Sequence, residues 1–231
     1  MARRLVTLVL LIGLVLSSVV LAGKLRTYPL PGNQQRYEPD QPIAFSHRQH
    51  AGDLQIACVY CHFGAEKSRH AGIPPASICM TCHRFVTAPQ KDLIPELLEA
   101  RKENRTPQPV ISDELQKLYD ALGLDSKVLP TLERDPDKTP KPIAWVKVHN
   151  LPAYTCFDHR AHMRSSVTCQ HCHGPVETMD RLRQVEDLSM GWCVNCHRNP
   201  QITGADGKKH RLTRADGNEL RPSTDCAVCH H

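Results

Sequence analysis

The sequence predicts a fold of mostly loops and short helices wrapped around something other than an apolar core, with one apolar helix at the N-terminus. Three observations carry this. The 231 residues contain only 5% aromatics but 18 Pro, and few segments keep an apolar period, so side chains alone supply little of the buried surface that offsets chain entropy. Eleven Cys and fourteen His are a large excess for an ordinary domain. An uncharged run, residues 5–23, follows Arg3 and Arg4 and ends at Lys24.

That run has the layout of an export signal, with a basic start, an apolar middle and small residues at Ala22 and Gly23. It is also long enough to span. A helix of this length extends about 28 Å, against roughly 30 Å of bilayer hydrocarbon. Residues 1–23 are therefore expected to stay as a membrane anchor rather than be cleaved. Residues 24–231 form the functional domain.

The cysteines of that domain fall into five pairs of one form. They are Cys58-Val-Tyr-Cys61-His62, Cys79-Met-Thr-Cys82-His83, Cys169-Gln-His-Cys172-His173, Cys193-Val-Asn-Cys196-His197 and Cys226-Ala-Val-Cys229-His230, hereafter motifs 1 to 5. C-x-x-C-H is the attachment signature of c-type haem. Two thiols so spaced add to the two vinyl groups along one porphyrin edge, and the next residue lies under the ring, where its imidazole binds iron. Paired zinc sites explain the C-x-x-C spacing but not a histidine after every pair. Five covalent haems c are expected. Their attachment takes place outside the cytoplasmic membrane, so the domain is placed on the periplasmic side. Cys156 is left over and reads as a small packed thiol.

Haem propionates also change the charge. Five haems add roughly ten carboxylates to a formal +5. With no basic cluster interleaved with aromatics, a nucleic-acid partner is not expected.

The other histidines are patterned. Phe45-Ser-His47-Arg-Gln-His50 precedes motif 1, and Phe157-Asp-His159-Arg-Ala-His162 precedes motif 3. Both read F-x-H-R-x-H, and the second motif after each is followed by Arg (Arg84, Arg198). This is an internal duplication of a dihaem unit: residues 43–85 and 143–200, with a helical, Pro-rich insertion at 86–142 and the fifth motif in 201–231. Histidines three apart on one turn share a face but diverge, so one segment can serve two haems as distal ligands. His47, His50, His159 and His162 are assigned that role. His149, His70 and Met190 compete for the fifth place, Met being an accepted axial ligand. His171, His210 and His231 rank below them. In the insertion, Ser112 is placed as the cap of a helix presenting Leu115, Leu118, Tyr119 and Leu122, and Leu93, Leu97 and Leu98 mark another. Pro130, Pro136, Pro140 and Pro142 read as an irregular connection.

The F-x-H-x-x-H segment ahead of C-x-x-C-H resembles the small c3 and c7 cytochromes. The larger arrangement resembles the pentahaem subunit of alternative complex III, a membrane quinol-oxidising complex. The residues behind that likeness are His70-Ala-Gly-Ile-Pro with Cys79 to Arg84, Trp145 to Pro152, Phe157 to His162, Cys172 to Glu177, and Leu188 to Cys193. Residues 86–142 are longer than that family implies. The resemblance implies a multihaem c3/c7-like fold and an electron-transfer subunit, with iron–sulfur and quinol-oxidising subunits as partners and another cytochrome as acceptor. The competing class is a multihaem reductase or oxidase acting on a small nitrogen or sulfur compound at a haem with an open axial position.

Overall fold

The computed structural model describes residues 2–27, 33–203, 208–213 and 216–230; His231 lies outside the described residues. Regular structure is short and helical. Helix α1 (Ala2–Thr27) comes first. A π-helical turn at Arg48–Asp53, α2 (Cys58–Cys61) and a 3-10 turn at Phe63–Glu66 precede α3 (Ala76–His83). The insertion carries α4 (Gln90–Lys102) and α5 (Asp113–Leu122). The second repeat carries α6 (His159–Arg164), α7 (Cys169–His173), a 3-10 turn at Val176–Thr178 and α8 (Met190–Arg198). A two-stranded antiparallel hairpin, β1 (Gln201–Thr203) with β2 (Lys209–Arg211), precedes α9 (Cys226–Cys229).

Helix α1 has the length and composition to cross a membrane. Its apolar window spans Ala2–Lys24 and none of it is buried against the rest of the chain.

The apolar core is small, as composition predicts. Met80, Leu118, Tyr119 and Leu124 form the buried cluster, where α5 packs on α3. The chain exposes 16896 Å², whereas size scaling gives about 10,500 Å² for a globular monomer of this mass. Even with α1 projecting, the remaining domain is far more open than side-chain packing would leave it.

The insertion does more than connect. Ser112 Oγ accepts from Leu115 N at 3.4 Å, and Gly123, in the left-handed conformation, ends α5. This helix then buries Leu118 and Tyr119, and the Tyr119 hydroxyl donates to the carbonyl of His83 at 2.7 Å. Helix α4 forms where expected, but it turns Leu97 and Leu98 outward at 51% and 54% exposure. Its hold is polar: Arg105 pairs with Glu96 at 2.6 Å behind buried Ala100.

The two repeats interlock. The π-turn of the first packs on the 3-10 turn that follows motif 3, and α6 of the second packs on the 3-10 turn that follows motif 1. The backbone bonds are reciprocal: Arg48 N donates to Met179 O (2.9 Å), and His159 N donates to Arg69 O (3.2 Å).

Candidate functional site

Every C-x-x-C pair lies on a helical turn. Residues i and i+3 share a helix face, so each turn presents two thiols on one side, with its histidine at or just past the turn's end. Side chains cap two of these turns: Ser189 accepts from Trp192 N and Asp225 from Ala227 N; Asp158 caps α6, which precedes motif 3. None of the eleven cysteines is in a disulfide. Among the described residues, no group of three or more His, Cys, Asp and Glu converges as a metal-ion site requires. Burial raises the thiols of Cys61, Cys79, Cys169, Cys193 and Cys196, and pushes Cys172 up to about 12.

The histidines share a second feature. Ring Nδ1 meets a backbone carbonyl in His62 (Gly72, 2.7 Å), His83 (Val86, 2.8 Å), His197 (Ser223, 2.7 Å) and His230 (Tyr154, 3.1 Å). The same holds for His50 (Ser46, 2.8 Å), His159 (Arg69, 2.8 Å) and His162 (Asp158, 2.9 Å). A carbonyl only accepts, so Nδ1 carries the proton and Nε2 is the basic nitrogen. This is how metal-binding histidines are oriented.

Their rings stand opposed in pairs. His50 and His83 are 6.1 Å apart, His162 and His197 are 6.1 Å apart, and His159 and His173 are 6.5 Å apart. Two imidazoles on opposite sides of one metal, with metal–nitrogen bonds of about 2 Å, hold their centres about 6 Å apart. Phe45 stacks on His50 at 4.3 Å and Phe157 on His162 at 4.4 Å, and each meets the first histidine of its segment edge-on.

The centre between motifs 1 and 3 gathers His47, His62, His149, His159 and His173. Burial lowers His47 and His149 to about 4 and His173 to about 3, so these rings are neutral. His47 Nδ1 and His149 Nε2 are buried without a hydrogen-bond partner. Unpaired buried nitrogens are costly, and an imidazole nitrogen facing a metal is one arrangement that satisfies them. His149 stands edge-on to His173 at 4.4 Å, too close for the two to share an iron. His70 is exposed, and Met190 is 71% exposed at the start of α8. His171 Nε2 lies 3.8 Å from Cys196 Sγ, against the Trp192 ring.

Sequence reading missed the carbonyls that orient the rings. Gly72, Val86, Arg69, Ser223 and Tyr154 act through backbone and carry no side-chain signal. Ser46 and Asp158 did carry one, since each sits just before the first histidine of its segment.

Thiol pairs on helical turns, with imidazoles opposed across the width of an iron, are the layout of a protein that binds several haems covalently. One curated relative has that character. The chain is 22% identical over 213 residues, 84% of this chain and 78% of that protein, to the "Menaquinone reductase, multiheme cytochrome c subunit" of Nitratidesulfovibrio vulgaris Hildenborough. No protein-family model matches the chain.

Proposed function

We propose that this chain is an electron-transfer subunit that holds five covalent haems c and works within a quinone-linked membrane complex. The three opposed histidine pairs carry the reading, because closed six-coordinate sites suit electron transfer and leave no axial position for a substrate. The relative's name supports a link to a quinone reaction; alternative complex III remains the finer form of the proposal.

Cys58 and Cys61, Cys79 and Cys82, Cys169 and Cys172, Cys193 and Cys196, and Cys226 and Cys229 would form the thioether links. His62, His83, His173, His197 and His230 would bind iron from the attachment side. His50 would complete the site of motif 2, His159 that of motif 3 and His162 that of motif 4. By the repeat, His47 takes the place at motif 1 that His159 takes at motif 3. His149, buried beside His47 and His173, is a second candidate for the centre between motifs 1 and 3, and His70 and Met190 stay as the exposed competitors for the fifth place. The haem iron supplies a one-electron Fe(III)/Fe(II) couple. The chain orients the ring nitrogens through backbone carbonyls and keeps the central rings neutral by burial. Helix α1 would anchor the domain on the periplasmic side of the cytoplasmic membrane.

The test is maturation in a haem-attaching host. Intact mass should exceed that of the bare chain by five haems, and the colour should survive acid–acetone extraction. His50→Ala and His162→Ala should each keep all haems attached but turn one high-spin. Stoichiometric zinc with no Soret band would sink the haem reading; two fully low-spin variants would sink the ligand assignment.

A further inference from the structure

Resting on the haem reading, we infer that the five attachment motifs stand in the spatial order 2–1–3–4–5, so that motifs 2 and 5 are the two ends at which one-electron partners meet the chain. Sequence order would instead put motif 1 at an end and join motif 2 to motif 3.

Each junction rests on its own contacts. Motifs 2 and 1 meet through the Tyr60 hydroxyl and Thr81 Oγ1 at 3.1 Å, both inside C-x-x-C turns. His62 of motif 1 also bonds Gly72 O, in the segment leading into motif 2. Motifs 1 and 3 meet at the middle of the molecule. The Cys58 and Cys169 thiols lie beside each other, and the reciprocal packing of the repeats joins the segments around them. Motifs 3 and 4 meet through His171 Nε2 and Cys196 Sγ at 3.8 Å, with the Cys172 thiol beside Cys196 and Cys193. Motifs 4 and 5 meet where His197 Nδ1 donates to Ser223 O at 2.7 Å, two residues before the Asp225 cap of α9. The Cys193 thiol there is beside Cys229.

The order follows from the duplication. Two copies of a dihaem unit that pack reciprocally bring equivalent positions together. The first motif of each unit is therefore central, and the second motif of each faces outward. Motif 5, appended after the second copy, extends only that end. Exposed apolar side chains stand beside both ends: Phe85 and Val86 follow motif 2, and Val228 lies within motif 5. Each transfer along the row oxidises one iron as it reduces the next, so the row needs a one-electron metal-centre donor at one end and a like acceptor at the other.

The order is tested by distance, on the full holoprotein. Phe85→Cys in a Cys156→Ala background leaves one thiol that haem does not alkylate, and it takes a nitroxide. Pulsed dipolar EPR should then give a ladder of label-to-iron distances, the shortest to motif 2. Removing the motif 1 haem by Cys58→Ala with Cys61→Ala should delete the second-shortest distance. Removing the motif 3 haem by Cys169→Ala with Cys172→Ala should delete the third. If the motif 3 change deletes the second-shortest distance while the motif 1 change does not, the order is overturned. Should those chains fail to mature, His47→Ala and His159→Ala keep the haems attached, and their high-spin signals identify the same two rungs. A protein that carries no haem by mass sinks the proposed function instead, so the two failures are distinguishable.

Discussion

The two repeats build the same site with different supports. Phe45 and Phe157 meet their histidines at nearly equal spacings, and the outer pairs, His50–His83 and His162–His197, are both 6.1 Å apart. The local supports diverge. In the second repeat, Asp158 caps its own helix through Arg160 N and pairs with the Arg160 guanidinium at 2.6 Å. In the first, Ser46 takes the equivalent place, and the acid comes from the other repeat: Ser46 Oγ donates to Asp180 at 2.7 Å, and Arg48 pairs with Asp180 at 3.0 Å. The first repeat is thus tied across the interlock, while the second holds its ligand segment locally. The first has its own buttress elsewhere, since α5 packs under motif 2. The two outer pairs thus keep the same spacing on unequal supports, with interplanar angles of 58° and 43°.

The largest expected effect breaks the comparison outright. A chain made without haem attachment should lose hydrogen-exchange protection over the ligand segments of both repeats, because little apolar surface remains to hold them. The loss should be uneven. Helix α3 touches the Met80, Leu118, Tyr119 and Leu124 cluster and receives the Tyr119 bond at His83; α8 has no buried residue. Residual protection at α3 with none at α8 is the expected result. Equal protection in both would mean that the insertion does not buttress motif 2.

A middle-sized effect separates the repeats at one residue. Gly52 lies on the π-turn where it approaches the turn after motif 3, and a Cβ there would run into the backbone carbonyl of Glu177. Gly52→Ala should destabilise the holoprotein by about 1–3 kcal/mol, the usual cost of overpacking where backbone cannot yield. The equivalent position of the second repeat is Arg164, on α6, and Arg164→Ala should be nearly neutral. Denaturant unfolding of the two variants reads the difference; a neutral Gly52→Ala would mean the interlock gives way easily.

How much of this was legible follows from what kind of atom does the work. The C-x-x-C-H turns and the F-x-H-R-x-H duplication are side-chain patterns, and the structure sets the rings of His50, His159 and His162 6.1 to 6.5 Å from motif histidines. The α5 cap at Ser112 was equally plain. The interlock was not, because reciprocal packing of two copies runs through backbone bonds such as Arg48 N to Met179 O. Nor was the buttress. Four prolines marked residues 130–142 as irregular, which they are, but irregular chain still packs: Ile143 and Leu132 join the cluster under α5. The outward face of α4 was not legible, because the helical spacing of Leu93, Leu97 and Leu98 predicts a helix, not what covers it.

The smallest effect comes from acid, and its sign follows from the two carboxylates that differ between the repeats. Hydrogen bonds from Arg160, its guanidinium foremost, hold Asp158 down at about 2, below its ordinary 3.8. Arg48 and then Ser46 hold Asp180 below the same ordinary value. A carboxylate depressed on folding binds fewer protons folded than unfolded. Its contribution is therefore complete above the unfolded value and is lost as pH falls towards the folded one. Between neutrality and about pH 5 neither tie should change. Below about pH 4 both begin to release, but they release different things. Losing Asp158 frays one short helix, while losing Asp180 unties the first repeat from the second. Both pairs are exposed, so each is weak, and the readout is local. Amide exchange should quicken across residues 46–53 and, in the partner repeat, 179–181, with α6 changing only over its first turn. Asp180→Asn should produce the first of these changes already at neutral pH and leave α6 untouched. If it loosened α6 as well, the second repeat would not be holding its ligand segment locally, and the contrast between the two supports would be wrong.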